Sequence, residues 1–189
     1  MDINSIIDSF NNTSKTFDKH LDYPSKKGIY CFRLSNDSKL KNFGSSGDVL
    51  YVGIAKESLN SRDIKTHFNS KRTGTSTLRR SLGAILKFDF KLIALPRSKN
   101  KTDQDIYCYK FNSDEEEKIT EWMKNNLQVG YCVIENVEYD KLRELEVEVI
   151  KSLKPSLDLD RRTRHLNVHA FELDKLRKIC QEEARNGQI

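Results

Sequence analysis

Two short runs of apolar and β-branched residues, each holding a tyrosine and a glycine, set the strongest limit on the fold. GIYCFRL spans residues 28–34 and VLYVGIA spans residues 49–55, and glycine or polar residues border both runs. Such runs are typical of β-strands. The 14 residues between them are rich in Ser, Gly, Asn and Asp and predict a long surface loop. If the strands pair, Tyr30 and Tyr51 project from one face of the sheet.

The rest of the chain alternates helical and strand patterns. Apolar spacing predicts helices at residues 2–11, 57–68, 113–127, 140–154 and 172–185, and a turn followed by a helix within residues 71–88, with Ser76 or Thr77 as its cap. Further strands are predicted at residues 90–95, 105–111 and 129–135. This order favours an α+β (mixed α/β) fold around a small sheet.

Composition indicates a soluble globular domain with extensions. The chain has 189 residues, of which 37% are hydrophobic and 32% are charged. A chain of this length can bury a hydrophobic core without disulfides or a structural metal. The sequence has no window near the ~18–20 apolar residues of a membrane span, and its N-terminus lacks a signal-peptide pattern. The four cysteines are widely spaced without a C-x-x-C pair, which predicts reduced thiols in a cytoplasmic protein rather than a zinc site.

Charge is distributed unevenly along the chain. The net charge is +5, yet residues 56–101 carry 12 Lys and Arg against 3 Asp and Glu, whereas residues 112–148 carry 4 against 11. A basic block of this kind favours a polyanionic partner, most simply a nucleic acid. The alternative is a solvated face that only keeps the protein soluble.

Four motifs occur in a fixed order along the chain. They are G28-I29-Y30, then Y51-V52-G53, then LNSRDIKTHF at residues 59–68, then LEVEVIKSLKPSLD at residues 145–158. Together they resemble the GIY-YIG nuclease superfamily over about residues 26–160. GTSTLRRSLGAIL (74–86) with EWMKNNL (121–127) also resembles a bacterial branch of standalone GIY-YIG proteins.

This resemblance implies a fold and an activity. The fold is a three-stranded antiparallel sheet flanked by helices, with an inserted strand–helix segment at about residues 88–128. The predicted parts are a helical extension at 1–25, the nuclease-like domain at 26–160 and a basic segment with a helix at 161–189. The activity is hydrolysis of DNA phosphodiester bonds with a single divalent metal, Mg²⁺ or Mn²⁺. The alternative is a non-catalytic nucleic-acid-binding module on the same fold.

The resemblance also assigns roles to the tyrosine pair. Tyr30 takes a proton from the attacking water, and Tyr51 positions the phosphate or the water. An unperturbed phenol, with a pKa of about 10, is a poor base at neutral pH, so cations nearby must help. Gly28 and Gly53 leave out side chains where a backbone comes close. Without this context, the tyrosines are interpreted as cross-strand packing.

Arg62 and His67 follow the second tyrosine strand. The guanidinium of Arg62 can fork onto two phosphate oxygens, and His67 can donate to the leaving oxygen or orient water. Their spacing of five residues departs from the spacing of four that the family favours. Five residues turn a straight helix by about 500°, so the two side chains would point about 140° apart. His67 is therefore equally well a core or cap residue. Lys56 is a further candidate for phosphate contact.

Glu146 is the predicted metal ligand. Leu142 and Ile150 flank it at four-residue steps, so its carboxylate lies at the margin of an apolar stripe. A charge there is unfavourable unless it is paired or binds a metal. The alternative is a glutamate in an ordinary ion pair with a lysine. Asp158 stands where the family usually has an asparagine and is expected to support the site.

The stretch SKRTGTSTLRR at residues 70–80 is predicted to face DNA. Its cations, hydroxyl groups and helix N-terminus suit phosphate contacts. The candidate residues are Lys71, Arg72, Ser76, Thr77, Arg79 and Arg80. RRTRH at residues 161–165 extends the same surface in this interpretation. The sequence does not indicate the oligomeric state or the DNA sequence that the protein would recognise.

Overall fold

A four-stranded antiparallel sheet organises the protein, in a computed structural model that describes residues 2–17, 23–60 and 65–187. The strands are β1 Lys15–Thr16, β2 Gly28–Leu34, β3 Val49–Ala55 and β4 Leu127–Val133. They lie in the order β1-β4-β2-β3. The α+β class is confirmed. The strand beyond the three expected is the two-residue β1, which pairs with β4.

Helices connect and flank these strands. The α-helices are α1 Ile3–Thr13, α2 Lys65–His67, α3 Thr77–Phe90, α4 Asp103–Tyr107, α5 Ser113–Asn126, α6 Tyr139–Leu153 and α7 Ala170–Asn186. Short 3-10 helices lie at Thr73–Thr75 and Arg164–Leu166. The apolar periodicity predicted α1, α3, α5, α6 and α7. Of the helix predicted at 57–68, the described part is helical at α2, and residues 61–64 lie outside the described residues.

The strands predicted at 90–95 and 105–111 are wrong. Residues 95 and 110 meet only in an isolated antiparallel bridge within the described chain. Residues 103–107 form α4 instead, because Thr102 and Asp105 make a reciprocal capping box at its start. This box fixes the first helical turn more strongly than the apolar run favours a strand. The inserted segment is therefore helical rather than strand–helix.

The chain divides into two compact units. The sheet unit comprises Met1–Thr66 with Lys124–Ala170, and the helical unit comprises His67–Met123 with Phe171–Ile189. This division differs from the predicted boundaries near residues 25 and 160, which stay a prediction. The helical unit joins most of the predicted insertion to the terminal helix.

The core of the sheet unit lies on one face of the sheet. Ile29, Cys31 and Val52 point into it and meet apolar side chains of α1 and α6. Helix α1 is held against β4 by two hydroxyl groups, since Ser9 and Thr13 both donate to the carbonyl oxygen of Tyr131. Because side chains alternate along a strand, Tyr30 and Tyr51 lie on the opposite face.

Candidate active site

The tyrosine pair is brought together by the register of β2 and β3. Tyr30 lies opposite Gly53, and Phe32 lies opposite Tyr51. A Cβ atom on Gly53 would lie 2.6 Å from the hydroxyl oxygen of Tyr30 and 3.1 Å from Cε1 of Tyr51. Both rings therefore lie over Gly53, which has room for them only because it has no side chain. The predicted close approach is real here, but the approaching group is a phenol rather than a backbone.

Gly28 allows β2 and β4 to pair closely. A Cβ atom at this position would lie 2.2 Å from the carbonyl oxygen of Cys132 on β4. A side chain would therefore push β2 away from β4, which matches the expected close approach of a backbone. Gly28 shapes the strand that carries Tyr30.

Aromatic packing surrounds the two phenols. Phe32 meets the Tyr30 ring edge to face, with centroids 5.7 Å apart, and it lies 6.4 Å from the ring of Tyr51. Only 3% of Tyr30 is exposed, whereas Tyr51 is partly exposed. The packing interpretation thus describes the ring positions well. Both phenol rings also lie on one face of the sheet, as the catalytic interpretation requires.

Glu146 lies on α6 where its sequence position predicted. Leu142 and Ile150 are buried in the core of the sheet unit, and Glu146 beside them is 9% exposed. Burial raises the pKa of Glu146, and the charges of Arg143 and Arg162 oppose that rise. The Nη2 atom of Arg162 lies 3.3 Å from Oε2 of Glu146. The carboxylate is therefore paired with an arginine rather than with a lysine.

Asp158 lies beside the outer edge of β3. The backbone nitrogen of Leu157 donates to the carbonyl oxygen of Leu50 at 2.8 Å, which fixes this segment along the strand. Burial, with help from the charges of Glu146 and Asp160, raises the pKa of Asp158 to about 7. Its Oδ2 atom is buried and has no hydrogen-bond partner among the described residues. A carboxylate oxygen in this state is suited to a cation.

Asp160 and Arg162 complete a charged cluster that sequence reasoning missed. Arg162 donates to Oδ1 and Oδ2 of Asp160 at 2.9 and 2.8 Å, as well as to Glu146. Arg143 lies 3.8 Å from the same Asp160 carboxylate. Arg143 could have been found, because it precedes Glu146 by three residues on one helix face. The pairing of Arg162 with Glu146 has no local signal in the sequence, although Arg162 lies in the basic run at residues 161–165.

His67 belongs to the helical unit and is buried. Its Nδ1 atom lies 2.7 Å from Oγ of Ser76, which is also the N-cap of α3. Burial and the charge of Arg79 lower the pKa of His67 to about 3. The imidazole is therefore neutral at physiological pH, which favours the core or cap interpretation.

The predicted DNA-facing stretch is partly internal. Lys71 and Arg72 are exposed, Thr77 is partly exposed, and Ser76 is buried. Arg79 is fully buried and its Nη2 atom lies 2.8 Å from Oε2 of Glu116. Arg80 is 6% exposed. The expectation that Arg79 and Arg80 line an outer wall is wrong, because the fold turns both guanidinium groups inward.

Of the two remaining candidates, Lys56 lies within the described residues and Arg62 does not. Lys56 is exposed, and its ammonium lies 5.1 Å from the ring centroid of Tyr139 in the sheet unit. Arg62 lies outside the described residues, so its predicted role as a phosphate clamp stays a prediction.

Comparison with known families decides the identity of the motif set. A family model of the GIY-YIG catalytic domain matches residues 24–179. The chain belongs to this family. No curated protein and no solved structure matches it. Membership gives the chain a nuclease-type domain, of a family that acts on nucleic acid and generally depends on a divalent metal.

None of the described helices is long and apolar enough to cross a membrane. No group of three or more His, Cys, Asp or Glu side chains in the described chain is arranged as a metal cage. Binding of Mg²⁺ does not require such a cage, because this ion often takes one or two carboxylates and completes its shell with water and substrate phosphate.

Proposed function

We propose that this GIY-YIG protein is an endonuclease that hydrolyses phosphodiester bonds of DNA with the help of Mg²⁺ or Mn²⁺. The observation that carries the proposal is the placement of Tyr30 and Tyr51 over Gly53, on the sheet face opposite the core. A family motif that only packed a sheet would not need both phenols over a glycine.

Glu146 and Asp158 are the residues that fit the metal. Both are carboxylates, which Mg²⁺ and Mn²⁺ prefer as ligands. Both are buried; Glu146 pairs with Arg162, whereas Oδ2 of Asp158 has no hydrogen-bond partner among the described residues. In the proposal, Glu146 is the ligand and Asp158 supports it. When bound, the metal supplies Lewis-acid polarisation of the phosphate.

The tyrosines act on the water and on the phosphate. Tyr30, in its phenolate form, accepts a proton from the water whose oxygen attacks phosphorus, while the bond from phosphorus to the leaving sugar oxygen breaks and that oxygen takes up a proton from solvent. Tyr51 donates a hydrogen bond that orients the phosphate. Arg62 is the proposed clamp on the phosphate oxygens, since a guanidinium can hold two of them as negative charge develops.

Arg162 regulates access to Glu146 in this proposal. It contacts the same carboxylate that binds the metal, at 3.3 Å, and it contacts Asp160 at 2.8 Å. Asp160 can therefore keep Arg162 in place when Glu146 is taken up by the metal. Lys56 in the sheet unit and Lys71 and Arg72 in the helical unit are the exposed cations proposed to contact DNA.

Cleavage assays test this function directly. Plasmid, flap and branched DNA are incubated with Mg²⁺, Mn²⁺ or EDTA, using the wild type, Glu146→Gln and Glu144→Gln. Glu144 is a matched control, because it lies on the same helix but is exposed and pairs with Lys141. We expect metal-dependent cleavage that falls about 10²-fold or more in Glu146→Gln alone. Wild-type rates in Glu146→Gln would refute the metal assignment.

Tyr30→Phe tests the role of the phenol within the same assay. This change removes only the hydroxyl group and keeps the ring that packs on Phe32. Tyr131→Phe on the neighbouring strand β4 is the matched control, since Tyr131 lies opposite Tyr30 in the sheet. Loss of cleavage in Tyr30→Phe only is expected. Equal activity in both variants would leave Tyr30 as a packing residue.

A non-catalytic nucleic-acid-binding module is the second candidate. The ion pair between Glu146 and Arg162 favours it, because a carboxylate neutralised by an arginine is less available to a metal. This candidate predicts DNA binding that weakens steeply with salt, without turnover in any divalent metal. Metal-dependent cleavage by the wild type would exclude it.

A further inference from the structure

Two arginines of the helical unit are buried without a carboxylate. Arg80 on α3 is 6% exposed and Arg177 on α7 is 4% exposed. Neither takes part in an ion pair with any described residue. A guanidinium stays charged at physiological pH, so it cannot escape burial by losing its proton. Burial of such a charge is unfavourable unless something neutralises it.

The hydrogen bonds of this pair are incomplete. Arg80 donates through Nη1 and Nη2 to neutral acceptors only, namely the carbonyl oxygens of Thr73 and Gly74 and the hydroxyl of Thr77. Its Nε atom has no acceptor among the described residues. The Nε and Nη2 atoms of Arg177 are also buried without an acceptor there. Three nitrogen atoms that carry N–H groups are therefore buried in the helical unit without an acceptor among the described residues.

The two guanidinium groups lie against the same aromatic ring. Their central carbons are 6.0 Å (Arg80) and 5.5 Å (Arg177) from the ring centroid of Tyr107. Burial lowers the pKa of Arg80, and the charge of Arg177 lowers it further. The like charges therefore repel each other, and the aromatic ring is only a weak compensation.

Arg79, the neighbour of Arg80 on α3, shows how the unit neutralises a structural arginine. It is fully buried, but it pairs with Glu116 at 2.8 Å. It also donates to the side chains of Thr73 and Thr120 and to the carbonyl oxygen of His67. The chain thus supplies a full set of acceptors for one arginine and leaves its neighbour without an anionic partner.

We propose that Arg80 and Arg177 form a binding site for a phosphate group, taken either from free phosphate or from the backbone of a nucleic acid. Two guanidinium groups supply several parallel N–H donors and two positive charges, which match the oxygens of a tetrahedral phosphate. The three unpaired nitrogens are covered from solvent, while the ring of Tyr107 beside them is 51% exposed. In this proposal the anion reaches them beside the exposed ring of Tyr107.

Thermal unfolding in phosphate tests this proposal. The melting temperature of the wild type, Arg177→Met and Lys178→Met is measured in sodium phosphate and in sodium chloride at equal ionic strength and pH. Lys178 is a matched control, because it loses the same charge on the same helix from a side chain that is 73% exposed. Phosphate at about tenfold its Kd should raise the wild-type melting temperature by about 3–6 °C.

The variants separate a binding role from a structural one. Arg177→Met should lose the phosphate effect and, in chloride, should melt at or above the wild-type temperature, because it removes an unpaired buried charge. Lys178→Met should keep the phosphate effect. The proposal is overturned if phosphate raises the melting temperature of Arg177→Met as much as that of the wild type. It is also overturned if neither inorganic phosphate nor a single-stranded oligonucleotide has an effect on the wild type.

Two further measurements keep the test independent of variant folding and of catalysis. In the wild type, the NMR signals of the arginine Nε–H groups of Arg80 and Arg177 should shift on titration with inorganic phosphate or with a single-stranded oligonucleotide. A shift with phosphate identifies the free anion as the source, whereas a shift with the oligonucleotide alone identifies the nucleic acid. Glu146→Gln, which lacks the proposed metal ligand, should give the same shifts.

Discussion

The two units of this chain bury unbalanced charge of opposite sign. In the sheet unit, the buried carboxylate of Glu146 pairs with Arg162, but one oxygen of the buried Asp158 has no hydrogen-bond partner among the described residues. In the helical unit, Arg80 and Arg177 are buried guanidinium groups without a carboxylate among those residues. Since burial of an uncompensated charge is unfavourable, each unit indicates the ligand that it lacks. The first is suited to a cation and the second to an anion.

This difference also shows what a motif can and cannot locate. The GIY-YIG motif set led to the carboxylates of the sheet unit, because Glu146 is part of that set. Arg177 lies outside these motifs. The state of the hydrogen bonds around a buried charge identified the second site without any motif.

The largest expected effect separates paired from unpaired arginines in the helical unit. Arg79→Met leaves Glu116 buried without its cation and should lower the free energy of unfolding by about 3–5 kcal/mol. Arg177→Met should leave it unchanged or raise it. Urea unfolding of both variants in chloride measures this. Equal destabilisation by both would break the comparison.

Gly53→Ala tests the sheet unit in a way that does not involve charge. The new methyl group would collide with the hydroxyl oxygen of Tyr30, 2.6 Å away, so the tyrosines must shift. We expect a loss of about 1–3 kcal/mol in the free energy of unfolding and a loss of DNA cleavage. Ala84→Gly, at a buried position of α3, controls for a general packing change. Normal cleavage by Gly53→Ala would show that the tyrosine geometry is not required.

Protonation of His67 would add a further positive charge to the helical unit. Its pKa is about 3 in the folded protein, below the ordinary value of 6.5, so the unfolded chain binds this proton first as the pH falls. The contribution of His67 to stability is therefore full above pH 6.5 and is lost below it, by about 2 kcal/mol at pH 5.

The difference between wild type and His67→Gln isolates this effect. Urea unfolding is measured from pH 8 to pH 5, with His165→Gln as the control at an exposed histidine. The difference is needed because Asp158, with its raised pKa, shifts stability in the opposite direction over this range. The variant should lose less stability than wild type as the pH falls. Parallel curves would contradict the buried, neutral state of His67.

The smallest effect is expected where charge is solvated. Glu148 and Lys151 form an ion pair 2.7 Å long on the outer side of α6, and both side chains are about half exposed. Glu148→Gln should change the free energy of unfolding by no more than about 0.5 kcal/mol. Urea unfolding gives this baseline. A larger loss would mean that surface charge also contributes to the contrast between the units.

Sequence reasoning succeeded where the signal was local. The strands at 28–34 and 49–55 and the long helices followed from residue type and periodicity, and the burial of Glu146 followed from its place beside Leu142 and Ile150. It failed at 105–111, where the apolar run suggested a strand and the Thr102–Asp105 capping box produced a helix.

The remaining site residues depend on contacts distant in sequence. The burial of Arg79 is explained by Glu116, which lies 37 residues further along the chain. Likewise, Arg162 reaches Glu146 across 16 residues, and Arg80 and Arg177 approach the ring of Tyr107 from two different helices. No local pattern marks such pairs, because they form only when the helices pack. An exposed basic stretch and a buried one therefore look alike in sequence.

Titration with Mn²⁺ tests the central claim, that Glu146 marks a metal site, most directly. Electron paramagnetic resonance measures the free Mn²⁺ in the presence of wild type, Glu146→Gln, Glu144→Gln or Arg177→Met. Our account predicts one bound ion per chain, at least about tenfold weaker binding in Glu146→Gln, and unchanged binding in the other two variants. Equal Mn²⁺ affinity in Glu146→Gln and wild type would contradict it.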